Sequence, residues 1–246
     1  MDFLKILKSF EEFVYEALIW VVLLPRTLVR IVLHPRRMTE YAASELGRSD
    51  EKQFSAAVSP PLLLILCVLI AHFIDLGMRT QTPDASGSLA SAIFASEQNL
   101  LLYRTIAFGV WALAGAVYFL LRSGVPMDRE SLRGPFYEQC YLVSPFALLL
   151  SISGSLSLMP ENAYAVRAAP WLVLGAFLWF WLVQIDWIGR KTGLPFWRRI
   201  IAATLILVSG SLVNALVGHA LSHPRASTGQ SACASCDHAE ARTQEK

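Results

Sequence analysis

Asp75 and His72 stand three residues apart in an otherwise apolar run, PPLLLILCVLIAHFIDLGM, and Arg104 lies near the start of the next such run. An ionisable side chain inside a membrane span is costly to bury and marks a functional site by default. If the two runs are antiparallel helices, Asp75 and Arg104 share one depth, and an ion pair between them is expected. That pair would be a proton or substrate gate or a structural clamp, unless Arg104 simply snorkels to the outer head groups. A second set gathers at the opposite ends of the runs. Asp186 and Arg190 have the i,i+4 spacing of a helical ion pair, and with Glu138 and Arg122 they form either a polar cytosolic mouth or ordinary interface marking. Gln184 and Asn214 are the expected hydrogen-bonding groups between helices.

The last chemistry-bearing motif is Cys233-Ala-Ser-Cys236-Asp-His238. Such a pair is either incidental or a disulfide, half of a metal site to which His219, His223 and His238 contribute, or a redox couple. Its expected place on the external, oxidising side favours the disulfide. Cys67 and Cys140 read as small apolar fillers. The sequence has no phosphate-binding Gly-rich loop, no Gly-rich dinucleotide turn, no HExxH and no Gly-x-Ser-x-Gly turn. An enzyme is therefore not expected, and nothing calls for a cofactor or for nucleic acid.

Composition defines the elements that must position these residues. The 246 residues are 54% hydrophobic and 16% charged, against about 45–50% and about 25% in soluble domains. The expected fold is an all-α, polytopic membrane bundle of five transmembrane helices with an N-terminal interfacial amphipathic helix. The spans are read at Pro60–Met78, 100–121, 137–159, 169–189 and 200–221, each long enough for a hydrocarbon core of about 30 Å. Helices are required because lipid offers the backbone no hydrogen-bonding partner. Before them, residues 2–24 alternate apolar and charged positions at helical spacing and are expected to lie in the interface until Pro25 ends the helix, with a re-entrant dip of Tyr15 to Leu24 as the alternative. A second short helix is expected to stop at Pro35. Residues 1–59 thus form a cytosolic amphipathic and basic segment, 60–221 the membrane domain, and 222–246 a disordered tail. The loop after Met78, with QTPDASGS, reads as flexible.

Lys and Arg set the orientation. Lys5, Lys8, Arg26, Arg30, Arg36, Arg37, Arg48 and Lys52 precede the first span. Arg122, Arg129 and Arg133, then Arg190, Lys191, Arg198 and Arg199, fall in loops on the same side. This bias places the N-terminus in the cytoplasm and the C-terminus outside, as in a bacterial inner membrane. Trp171 at one end, with Trp187 and Trp197 at the other, fits interfacial anchoring. Arg26, Arg30, Arg36 and Arg37 read as a lipid-surface binding segment or as plain positive-inside bias.

Two entries repeat: Val58-Ser59-Pro60 and Val143-Ser144-Pro145. A proline in the first helical turn sacrifices no hydrogen bond, whereas Pro145 inside a span would free a carbonyl near Tyr141 and kink the helix. The repetition hints at a parallel repeat of two helices. The stretch Thr27-Leu-Val-Arg30-Ile-Val-Leu-His34-Pro35-Arg36-Arg37, an acidic linker, Ser59-Pro60-Pro61, Gly134-Pro-Phe-Tyr137 and Tyr141-Leu-Val-Ser144-Pro145 together resemble the Yip-type membrane proteins. The resemblance runs from Thr27 to Leu221. It implies five membrane helices, a cytosolic N-terminus and a C-terminus on the far side. It also implies an organising role of the kind linked to small GTPases and vesicle traffic in eukaryotes, although some bacterial relatives carry the label of permease. No catalytic residue carries over. The expected function is a non-enzymatic organiser or scaffold binding proteins or lipids, with a small transporter or permease as the alternative. The expected partners are the lipid bilayer and either membrane proteins or further copies of the chain.

Overall fold

Proline placement decides where the chain turns. The computed structural model describes residues 3–48, 53–78, 97–157, 159 and 163–222, and every regular element among them is an α-helix. These are α1 (Phe3–Leu33), α2 (Pro35–Glu45), α3 (Pro60–Met78), α4 (Glu97–Ser123), α5 (Arg129–Ser157), α6 (Ala163–Thr192) and α7 (Phe196–Ser222). Pro25 does not end the first helix as expected; it lies inside α1. An internal proline removes one donor and crowds one carbonyl, and α1 absorbs that defect and runs on to Leu33. The turn comes at Pro35. A residue before proline is pushed out of the helical region, so His34 takes φ −135° and ψ 60°, and α2 departs at 120° to α1.

Five helices are long and apolar enough to cross a membrane: Pro60–Met78, Leu101–Ser123, Arg129–Ser157, Tyr164–Thr192 and Phe196–Leu216. The chain is an integral membrane protein. The bent pair Lys8–Leu33 and Pro35–Glu45 also passes on length and composition, as one broken element. The third span begins at Arg129 rather than Tyr137, because Asp128 caps it: the Ser131 amide donates to Asp128 Oδ1 at 2.7 Å. Pro135 and Pro145 consequently both lie within α5. The two Val-Ser-Pro entries are not equivalent, since Pro60 opens α3 while Pro145 sits deep inside α5. The repeat they hinted at finds no support in their positions.

Helix α5 is the hub. It packs against α1, α2, α3, α4 and α6, while α7 closes the bundle against α4 and α6. Every residue from Glu138 to Ala147 is buried, so this stretch has no outward face. Its apolar members meet an aromatic cluster in which Phe146 stacks on Phe180 at 4.6 Å and receives the Trp111 edge at 5.0 Å. Trp111 lies directly on the backbone of α7, because a Cβ at Gly210 would stand 2.6 Å from its ring. The buried polar members of α5 find partners. Gln139 and Gln184 exchange amide bonds at 3.2 and 2.6 Å, Tyr141 Oη donates to the Val58 carbonyl at 2.8 Å, and Ser153 Oγ donates to the Ala169 carbonyl at 2.7 Å. Gly115 of α4 leaves the space that the Gln139 side chain fills; a Cβ there would lie 2.5 Å from Gln139 Cδ.

A second apolar cluster joins Ile31, Met38, Ala42, Ala57 and Val58 to Leu63, Cys67 and Tyr141. The end of α1, α2 and the following loop are thus packed into the bundle. The loop is fixed by Glu45, which accepts from the Phe54 amide at 2.8 Å and from Arg48 at 2.6 Å. Phe54 itself takes φ +56°, and its ring contacts Tyr41 and Tyr137. Left-handed backbone at a bulky residue is disfavoured by about 1–3 kcal/mol, which these contacts must offset.

Gln139→Leu leaves the buried Gln184 amide without its partner and should lower unfolding stability in detergent by about 1–3 kcal/mol; the Gln139→Leu/Gln184→Leu double variant should recover most of that loss. A double variant no more stable than the single one would refute the pairing account. At the α5 cap, the Ser131 backbone and side-chain hydrogen bonds hold the Asp128 carboxyl below the usual carboxylate range. A lowered folded pKa gives stabilisation that is present above the unfolded value and lost as pH falls through the folded one. Amide exchange over residues 129–132 should therefore rise below about pH 4, and Asp128→Asn should flatten that dependence.

Candidate functional site

The inward stripes of three helices end in polar residues. On α3, Leu64, Val68, Ala71 and Asp75 recur at helical spacing and all are buried. On α4, Phe108 and Trp111 continue the stripe that begins at Arg104. The structure brings these ends together: Arg104 Nη2 donates to Asp75 Oδ2 at 2.8 Å. From α5, Ser155 Oγ donates to Asp75 Oδ1 at 2.8 Å. Asp75 is 2% exposed and Arg104 20%. His72 is buried one turn before Asp75. Arg104 Nη1 is buried without a hydrogen-bond partner among the described residues. Three helices thus converge on one carboxylate, held by a cation on one oxygen and a hydroxyl on the other. Such a group either locks the helices or moves a proton or solute when the pair opens.

The expected cytosolic mouth is divided among three places. Glu138 is buried, accepting from Lys191 Nζ at 2.6 Å and from Trp187 Nε1 at 2.7 Å. Trp187 is therefore a core residue, fully buried, rather than the interfacial anchor expected of it. Trp171 and Trp197 are exposed. Asp186 does pair with Arg190 at 3.1 Å, and it also receives a two-pronged contact from Arg36 at 3.0 and 2.5 Å. Arg190 reaches on to Thr39 at 3.1 Å and Glu40 at 3.3 Å. Arg122 joins neither group; it lines a separate groove between α4 and α7.

Of the basic segment, Arg36 is spent on docking α2 to α6, while Arg26 and Arg37 are exposed and Arg30 is half-buried. Sequence reading missed Glu40, Thr39, Lys191 and Ser155 as members of these networks. A signal existed for Lys191: Phe180, Gln184 and Trp187 are buried at the spacing that places Lys191 next on the same face. Asn214 Nδ2 bridges to the Ala107 carbonyl of α4 at 3.4 Å, as an interhelical donor should. Ala112 and Ala116 are buried at a close helix contact, whereas Gly109 borders open space. Cys67 and Cys140 are free and buried. The residues Cys233, Cys236 and His238, the tail and loop residues 79–96 lie outside the described residues. Among the described residues, no three His, Cys, Asp or Glu side chains group to hold a metal ion.

Comparison with protein-family models, with curated proteins and with solved structures returns no match.

Neutralising one member of the Asp75–Arg104 pair leaves the other buried and uncompensated, which in a fully buried pair costs about 3–5 kcal/mol. Asp75→Asn and Arg104→Gln should each lower the unfolding midpoint, somewhat less than that range implies because Arg104 retains some exposure. The exchanged protein, Asp75→Arg with Arg104→Asp, should regain part of the loss. Harmless single variants would show that the pair carries neither structure nor transport.

Proposed function

We propose that this protein is a non-enzymatic membrane organiser that binds proteins or lipid through its first helix. The observation that carries the reading is the division of α1. Its end is packed, with Thr27 and Ile31 buried, whereas Phe10, Phe13, Leu18 and Val21 are between 60% and 71% exposed. With Val14 and Ala17 these residues follow helical spacing and form one apolar stripe, and Lys8, Glu12 and Glu16 occupy the opposite face. An apolar stripe of this length is stable only against lipid or another protein. The distribution of Lys and Arg supports a cytoplasmic N-terminus and an external C-terminus in a bacterial inner membrane. Likeness to the Yip-type proteins in Thr27–Arg37 and Ser59–Pro61 supports an organising role.

A small transporter or permease is the second reading, favoured by the buried carboxylate of Asp75 and its arginine partner. The two readings place function in different residues. Deletion of residues 2–35 would remove Ile31 and Thr27 from the core, so the informative deletion is residues 2–22.

Extraction into a membrane-scaffolding polymer, followed by mass spectrometry of what co-purifies, tests the reading. The organiser should retain a stoichiometric partner that is lost on deletion of residues 2–22 and on Leu18→Glu, with the bundle still inserted. A partner kept by both variants would overturn it. A single retained solute that is lost on Asp75→Asn would establish the transporter instead.

A further inference from the structure

We infer that the groove between the end of α4 and the start of α7 binds the phosphate headgroup of an anionic membrane lipid. This site lies apart from α1 and does not rest on the organiser reading.

The groove, of about 290 Å³, is lined by Tyr118 and Arg122 from α4, by Leu194 of the α6–α7 connection, and by Trp197, Arg198, Ile201, Ala202 and Leu205 from the start of α7. Its chemistry is graded along the helices. Arg122 and Arg198 stand at its end, and Tyr118, one turn from Arg122, and Ile201 and Leu205, one and two turns from Trp197, continue it toward the bilayer interior. That gradient matches a lipid, which carries its charge at one end and its acyl chains behind it. A soluble anion would have no use for the apolar part.

Charge bookkeeping points the same way. The cations that join helices are matched to acceptors: Arg36 and Arg190 to Asp186, Lys191 to Glu138, and Arg199 to the Leu194 carbonyl. Arg122 and Arg198 form no salt bridge among the described residues, yet they line one groove. Arg198 lies over the Trp197 ring at 5.0 Å, which orients its guanidinium without neutralising it. Trp197 is itself exposed, where an amphipathic ring settles at headgroup depth. Basic grooves between membrane helices on the side carrying the positive loops recognise anionic headgroups.

The test is native mass spectrometry and lipid titration of the full-length protein. The probes are phosphatidylglycerol and phosphatidylcholine of the same acyl chains. The wild type should retain phosphatidylglycerol in preference, and the Arg122→Gln/Arg198→Gln variant should lose roughly ten- to thirtyfold in apparent affinity, from about fivefold per basic residue. The Arg129→Gln/Arg133→Gln variant removes the same charge from a separate groove, whose lining also carries the Glu130 carboxylate, and should change retention little. Thermal unfolding in detergent verifies that both variants are folded. If an unfolded Arg122→Gln/Arg198→Gln protein is obtained, Ile201→Asn, which alters only the acyl wall, replaces it and should lower retention of phosphatidylglycerol. Equal retention of both lipids, an equal loss in the two arginine pairs, or displacement by inorganic phosphate at millimolar concentration would overturn the inference. The last result would assign the arginines to a soluble anion.

Discussion

The middle of α5, from Glu138 to Ala147, is surrounded, and that single constraint organises the molecule. Lipid and apolar side chains offer no hydrogen bonds, so each polar group carried by a helix without an outward face must be answered by a neighbouring helix. The answers come from different directions: Gln184, Trp187 and Lys191 from α6, the Val58 carbonyl from the loop before α3, and Asp75 from α3 itself. Individual interhelical bonds in membrane proteins average about 0.6 kcal/mol. Their importance lies less in net strength than in register. Each bond is satisfied at one relative depth of two helices, and sliding by a turn would strand several buried groups at once.

The two ends of the bundle use charge differently. Near Ser155, Asp75 and Arg104 form a small group enclosed by three spans. At the other end, a larger set of ion pairs attaches α2 to α6 through Arg36, Asp186, Arg190 and Glu40, partly in contact with solvent. Exposed pairs contribute little individually, about 0–1 kcal/mol. The Arg36–Asp186 fork nevertheless fixes orientation, because a planar guanidinium meets a carboxylate along two parallel bonds. The attachment explains why α2 belongs with the membrane helices although its composition is polar. It also leaves the first part of α1 as an apolar surface not used by the bundle.

Prolines show how context overrides local preference. Pro35 stops a helix and Pro60 starts one, both as the residue's geometry dictates. Pro25, Pro135, Pro145 and Pro170 all lie inside helices. Pro135, Pro145 and Pro170 fall in the candidate spans, and within a membrane an open loop would expose many more backbone groups than the one carbonyl an internal proline frees, so the helix continues. Near Pro145, Ser144 Oγ bonds to the Cys140 carbonyl at 2.7 Å, which supplies a polar contact beside the break.

Hydropathy by itself determined that the chain spans a membrane with five apolar helices, because burial in hydrocarbon requires about 20 apolar residues and internal backbone pairing whatever the neighbours are. Facing charges at matched depth were also legible, which is why Asp75 and Arg104 could be paired from the sequence, and the i,i+4 spacing of Asp186 and Arg190 paired those two. Only the tertiary structure decided that α5 is the centre, that Glu138 turns inward to Lys191 and Trp187, and that Arg122 parts company with them. Those outcomes depend on which helices are neighbours and how each is rotated. From Glu138 to Ala147 every face is buried, so polar and apolar residues there alike point inward and their alternation does not reveal the rotation.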